Sequence, residues 1–161
     1  MNLQQAFEEN NSIRLGLTAK DWKEAVKLSI DPLIESGAVT SEYYDAIVES
    51  TEESGPYYIL MPGMAMPHAR PDAGVKRDAF SFITLTEPVT FSDGKEVQVL
   101  LALAATSSDI HVSVAIPQII ALFELENSIE RLVNCKTPEE VLAMVEESKD
   151  SPYLEGLDLE S

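Results

Sequence analysis

The feature that most constrains this chain is the run Val97-Gln98-Val99-Leu100-Leu101-Ala102-Leu103-Ala104-Ala105. A strand that is apolar at nearly every position has no face to offer to water. It belongs inside a sheet covered on both sides. The run is far shorter than the ~20 residues of a membrane span, so a membrane helix is not the alternative. Covering both faces takes helices, and the sequence interleaves helical and strand patterns throughout.

Residues 12–17 alternate polar and apolar side chains, a short first strand with Ile13, Leu15 and Leu17 on one face. Residues 21–36 form an amphipathic pattern with Trp22, Ala25, Val26, Ile30, Leu33 and Ile34 inward; Pro32 is expected to kink or shorten the helix and Gly37 to end it. Thr40 is the expected N-cap of a helix over 40–53, with Tyr43, Tyr44, Ile47 and Val48 inward, stopped by Gly55-Pro56. Tyrosines 43, 44, 57 and 58 are read as core rather than interface. Residues 57–60 read as a strand, and 64–67 as a short extended piece after the breaker Met61-Pro62-Gly63. A strand over 79–85 is separated from the apolar run by Glu87-Pro88 and by a turn at Ser92-Asp93-Gly94-Lys95.

Beyond the central strand, Ser107, Ser108 and Asp109 are N-cap candidates for a helix through Phe123, interrupted or kinked at Pro117. Asn127 with Glu130 has the form of a capping box for a short helix to Val133. Thr137-Pro138-Glu139-Glu140 is a stronger one, opening a helix to Ser148. The acidic stretch 149–161 is expected to be loosely held. The result is a single α/β domain, with a mixed sheet flanked by helices on both faces.

The chain has 161 residues with a net charge of −17, which opposes binding to nucleic acid or to an anionic membrane surface. That charge suits a basic protein partner, or serves solubility alone. One cysteine, Cys135, permits no intrachain disulfide and fits a reducing compartment. Residues 1–9 lack the basic and apolar segments of a secretory signal, so a cytoplasmic protein is expected.

Two histidines are present, His68 and His111. His68 lies in Met66-Pro67-His68-Ala69-Arg70, after an expected strand end and before a loop with proline and glycine, a common place for α/β sites. An imidazole there suits acceptance of a transferred group near neutral pH, and an arginine two residues on suits an anion. An ordinary loop histidine is the bland alternative. His111 falls in the first turn of the helix after Ser108, where backbone N–H groups favour an anion; the other reading is a histidine half-buried under the helix. Two histidines and one distant cysteine give no zinc spacing, and Cys135, at a helix C-terminal end, reads as structural. No Walker loop, dinucleotide-binding glycine pattern or serine elbow is present.

Gly63-Met64-Ala65-Met66-Pro67-His68 resembles the active-site segment of the mannitol–fructose-type enzyme IIA components of the phosphoenolpyruvate-dependent sugar phosphotransferase system. The resemblance extends through Asp109-Ile110-His111 to Glu139-Glu140-Val141-Leu142, covering most of residues 10–147. Within the family it is nearest the L-ascorbate type, on Ser12-Ile13-Arg14-Leu15, Gly55-Pro56-Tyr57-Tyr58, Arg70-Pro71 and Gly74-Val75-Lys76. It implies an enzyme IIA domain over 1–148 that carries phosphate as a phosphohistidine. His68 would accept the phosphoryl group from phospho-HPr and pass it to a cysteine of enzyme IIB, which serves the membrane component enzyme IIC. His111 matches the second active-site histidine. No cofactor or metal is implied. Mannitol-type relatives carry an arginine on the helix before the active-site strand; here Val48-Glu49-Ser50-Thr51-Glu52-Glu53 has none, which makes Arg70 the candidate for the missing charge. Two other readings stand beside transport. One is a regulatory phospho-switch that binds partner proteins; the other is an enzyme using His68 as general base.

Overall fold

The computed structural model describes residues 3–154. At its centre lies β4 (Glu96–Ala104), buried at nearly every position after its first residue. On one side it pairs antiparallel with β3 (Ala79–Thr90), on the other parallel with β2 (Gly63–Ala65). β1 (Ile13–Leu17) runs parallel to β3, so the described residues build a four-stranded mixed sheet in the order β1-β3-β4-β2. Phe80, Phe82, Val99, Leu101 and Leu103 point to one face, where they meet α1 (Leu3–Asn10), α5 (Ile116–Phe123), α6 (Ser128–Val133) and α7 (Pro138–Ser148). Ala79, Ile83, Leu100, Ala102 and Ala104 point to the other, against α2 (Trp22–Glu35) and α3 (Ser41–Ser54). The apolar run is thus covered on both sides, as its composition requires.

Helix α1 was not anticipated, although Leu3, Ala6 and Phe7 carry the helical spacing that buries them. Phe7 meets Phe80 and Phe82 edge-on, with ring centroids 6.2 and 6.3 Å away. In α2 the Asp21 carboxylate accepts from the Glu24 N–H at 2.9 Å, and the helix continues past Pro32 to Glu35 without being cut short. The turn at Ser92–Lys95 forms as expected, with Gly94 at φ 87° and the Phe91 N–H on the Lys95 carbonyl at 2.8 Å.

Several local expectations are corrected. Residues 57–60 are not a strand. Gly55 sits at φ 80°, and the Tyr57 and Ile59 N–H groups turn back to the Gly55 and Pro56 carbonyls. Tyr58 is buried there while Tyr57 and Leu60 are exposed, so of the four tyrosines Tyr57 is not core. β3 does not stop at Leu85 but runs through Glu87-Pro88 to Thr90. Its pairing with β1 ends at Leu85 and its register with β4 shifts between Thr84 and Val89, so Pro88 falls where a lost donor is tolerated. Asn127 stands at an N-cap, but in the left-handed region at φ 55° and without a side-chain cap, so the expected box is not made. Thr137 does cap, accepting from the Glu140 N–H at 3.3 Å.

Thr40 begins α3 with extended backbone, yet its hydroxyl does not cap the helix. It is buried against Gly74, whose carbonyl accepts the Thr40 N–H at 3.0 Å. Gly74 has φ 102°, and a Cβ there would overlap the Thr40 hydroxyl, so only glycine fits.

The helix expected over 107–123 forms in three parts. Ser108–Ile110 is one α turn, α4, with the Ser107 hydroxyl accepting from the Ile110 N–H at 3.2 Å. His111–Ala115 is a π-helical segment, and α5 follows with Pro117 near its start. Pro117 has no N–H to continue the α-helical ladder, and the Gln118 side chain takes the Val114 carbonyl at 2.9 Å. At the acidic end, Pro152–Leu154 forms a 3₁₀ turn and Lys149 reaches Gln4 at 2.8 Å, while residues 155–161 lie outside the described residues. No described helix is long and apolar enough to cross a membrane.

If α1 is part of the cooperative core, Phe7→Ala removes a side chain 1 % exposed and costs about 3–5 kcal/mol. Urea unfolding monitored by circular dichroism checks this as a single transition at lower midpoint; an unmoved midpoint would mean that α1 contributes nothing to the fold.

Candidate functional site

The short parallel pair β2–β4 delivers the chain to the site. Beyond Ala65 the Met66 N–H donates to the Tyr58 carbonyl at 2.9 Å, and the Pro67 carbonyl accepts the Leu103 N–H at 3.1 Å. Pro67 has no donor to leave unpaired, so the ladder can end on it without an orphan. Two residues after Pro67 the buried hydroxyl of Tyr43, from α3, takes the Ala69 N–H at 3.0 Å and donates to the Leu103 carbonyl. His68 is therefore held between two anchored neighbours at the C-terminal end of the parallel strands.

Its imidazole is half-buried. Nδ1 lies 2.8 Å from the Met66 carbonyl. A carbonyl only accepts, so Nδ1 carries the proton and the ring lone pair belongs to Nε2. Burial pushes the His68 pKa below its ordinary value, opposed by the bond to Met66. The favoured form is a neutral imidazole whose tautomer is fixed from within its own segment. Tyr57 and Tyr58 wall the ring, with centroids 5.4 and 6.5 Å from it at steep angles.

A shallow depression of about 320 Å³ opens over His68, bounded by Tyr57, Ala69, Arg70, Pro71, Ala105 and Ser108. Arg70 shares it, but its side chain is 86 % exposed and turned to Asp72, at 3.4 Å. Ser108 brings the start of the broken helix to the same rim. The His111 backbone opens the π-helical segment three residues on, while its side chain lies outside the described residues. Helix α3 reaches this site through Tyr43, and through Ser50 beside the Tyr57 hydroxyl.

Tyr43 and Tyr57 are the site residues that sequence reasoning missed. The cue for Tyr57 was a large aromatic in a Gly-Pro turn; Tyr43 gave none, being indistinguishable from any inward residue of α3. Cys135 lies apart, buried between α6 and α7. Its thiol donates to the Arg131 carbonyl at 3.3 Å, and burial, with Glu140, pushes its pKa up, as expected of a structural cysteine.

Residues 6–148 match the family "Phosphoenolpyruvate-dependent sugar phosphotransferase system, EIIA 2". The ascorbate-specific PTS system EIIA component of Escherichia coli K12 is 43 % identical over 148 residues, spanning 91 % of this chain and 96 % of that protein. A crystal structure assigned as a PTS IIA (PtxA) from Streptococcus mutans is 86 % identical, superposes with a TM-score of 0.96, and covers 97 % of this chain and 100 % of its own. The Escherichia coli mannitol enzyme IIA, solved in complex with its phosphorylated enzyme IIB, is 26 % identical with a TM-score of 0.73 over 86 % of this chain and 95 % of its own. The family match over residues 6–148, with 43 % identity to a relative over nine-tenths of the chain, places this protein in the EIIA 2 family of phosphotransferase system components.

Proposed function

We propose that this chain is a cytoplasmic phosphoryl carrier for uptake of a sugar, L-ascorbate, with residues 1–148 as the working domain and 149–161 as an acidic tail. The observation that supports it most is the Nδ1–Met66 bond, which fixes the imidazole with its lone pair on Nε2. In the first step that lone pair attacks the phosphorus of phospho-HPr. A new N–P bond forms as the donor's N–P bond breaks, and the donor imidazole leaves with the electron pair. In the second, a cysteine thiolate of enzyme IIB attacks the same phosphorus and His68 leaves neutral. Enzyme IIC uses the group downstream. The bond energy arrives with the donor, so the step requires neither nucleotide nor metal. The partner assignment draws on the mannitol enzyme IIA–IIB complex, and the sugar on the ascorbate-specific relative.

The migrating group carries charge on its three oxygens and needs donors that hold it without trapping it. Arg70 would turn from Asp72 to meet it, a small rearrangement for a largely exposed ion pair. Ser108 lines the same depression, and in this reading His111 is the second histidine of the step.

Incubation of purified protein with phosphorylated HPr, followed by phosphorus NMR, tests the acceptor. Wild type takes one phosphoryl group on Nε2 and His68→Ala takes none. Uptake by His68→Ala at the wild-type rate sinks the assignment.

The pH dependence follows from the lowered pKa. A histidine with its pKa below 6.5 is still mainly deprotonated at pH 6.5. The rate of uptake, normalised for the donor's own titration, stays near its plateau there and falls only on further acidification. Titrating the His68 ring by NMR gives the same answer directly, and a midpoint above 6.5 contradicts it.

With a net charge of −17, the protein attracts a donor that presents a basic rim, and raising salt from about 0.05 to 0.5 M slows uptake several-fold. A salt-independent rate measured by rapid mixing removes steering from the account.

A further inference from the structure

We propose that Tyr57 is a positioning residue for transfer at His68, its hydroxyl anchoring the His68 peptide and its ring forming the wall against which the imidazole stands; this rests on His68 being the phosphoryl acceptor.

The Nδ1–Met66 bond is made within a span of three residues, so it holds the ring only while the main chain at His68 keeps its direction. Tyr57 fixes that direction from outside the segment. Its hydroxyl donates to the His68 carbonyl at 3.1 Å, and its ring stands 5.4 Å from the imidazole at 88°, the edge-to-face geometry that aromatic rings favour. One residue thus grips both the backbone and the ring of His68.

The grip is itself supported. Tyr57 packs edge-on against Tyr58 at 5.3 Å, and Tyr58 is fully buried with its hydroxyl 2.8 Å from that of Thr51 on α3. Burial raises the Tyr57 pKa, opposed by Ser50 on the same helix, so the hydroxyl stays a neutral donor at working pH.

Tyr57 is nonetheless 49 % exposed, one of two large apolar side chains so exposed among the described residues, and it borders the depression over His68. A side chain needed for the core alone would not leave half its surface in water. A side chain needed at the mouth of a docking site, to hold the acceptor while a partner approaches, sits where this one does. Helix α3 thereby supports the acceptor from behind through neutral hydroxyls.

The test uses full-length Tyr57→Phe and Tyr57→Ala. Phosphoryl uptake from phospho-HPr is followed by rapid quench, and the tautomer of His68 by imidazole nitrogen NMR without phosphate. Tyr57→Phe keeps the ring and loses the anchor, and is expected to slow uptake about three- to ten-fold, the loss of one hydrogen bond. Tyr57→Ala loses both, and is expected to slow uptake further and to show mixed tautomers at His68, which a merely structural loss elsewhere would not produce. If Tyr57→Ala does not fold, the near-isosteric Tyr57→Phe decides by its rate. Wild-type uptake rates with a wild-type nitrogen spectrum in the variants overturn the proposal. A wild-type protein that takes no phosphate at His68 overturns the carrier reading instead, while the spectra still report whether Tyr57 holds the ring; an unchanged tautomer in Tyr57→Ala rejects that hold.

Discussion

The site depends on one buried hydroxyl. Tyr43 reaches from α3 into the sheet edge, where its oxygen serves as acceptor for the Ala69 N–H and donor to the Leu103 carbonyl. Burial drives its pKa well above the ordinary tyrosine value, so near neutral pH it is a neutral bridge. Without it, two backbone groups, the Leu103 carbonyl near the end of β4 and the Ala69 N–H after β2, would lose a partner, each costing about 1–3 kcal/mol if left unsatisfied. The bridge joins the layer behind the sheet to the loop in front of it. His68 sits between that bridge and the last ladder bond, from the Leu103 N–H to Pro67, and inherits its position from both.

The local charge arrangement is spare. In a chain with 28 acidic and 11 basic side chains, Arg70 is the basic residue bordering the described depression, and it leans outward to Asp72. Among the groups packed on the imidazole are two aromatic rings and a backbone carbonyl. They favour the neutral ring and bring no charge of their own to a migrating anion, which suits a way-station, where a phosphoryl group held too tightly would not move on.

What could be read in advance was what periodicity and composition determine. The doubly covered strand, the amphipathic α2 and α3, the capped start of α7 and the position of His68 after a strand follow from side-chain patterns along the chain. What could not be read was what depends on approach between distant segments. Thr40 has the right side chain for a cap, but Gly74 packs where the capping geometry would be. Tyr57 and Tyr58 have strand propensity, but Gly55 and Pro56 turn the chain so that one ring is buried and the other faces the site. Pro88 signals a break, yet lies where β3 has already lost its β1 partner and tolerates proline. Arg70 was legible as a neighbour of His68 in sequence; that it faces Asp72 depends on a turn in which the Ala73 N–H closes on the Arg70 carbonyl at 3.0 Å.

Cys135 gives this architecture a chemical consequence of its own. If the proposed relay to a cysteine holds, the carrier must repeatedly bring its working face against a partner's nucleophilic sulfur. Any accessible thiolate on that face would compete, and under oxidative stress would lock the pair together by a disulfide. Here the chain's single sulfhydryl is kept protonated, tied to a helix carbonyl and housed between α6 and α7, elements that contribute nothing to the mouth over His68. Under the proposed relay, that placement keeps the thiol away from the docking mouth, so redox trapping of the pair would be avoided by placement alone.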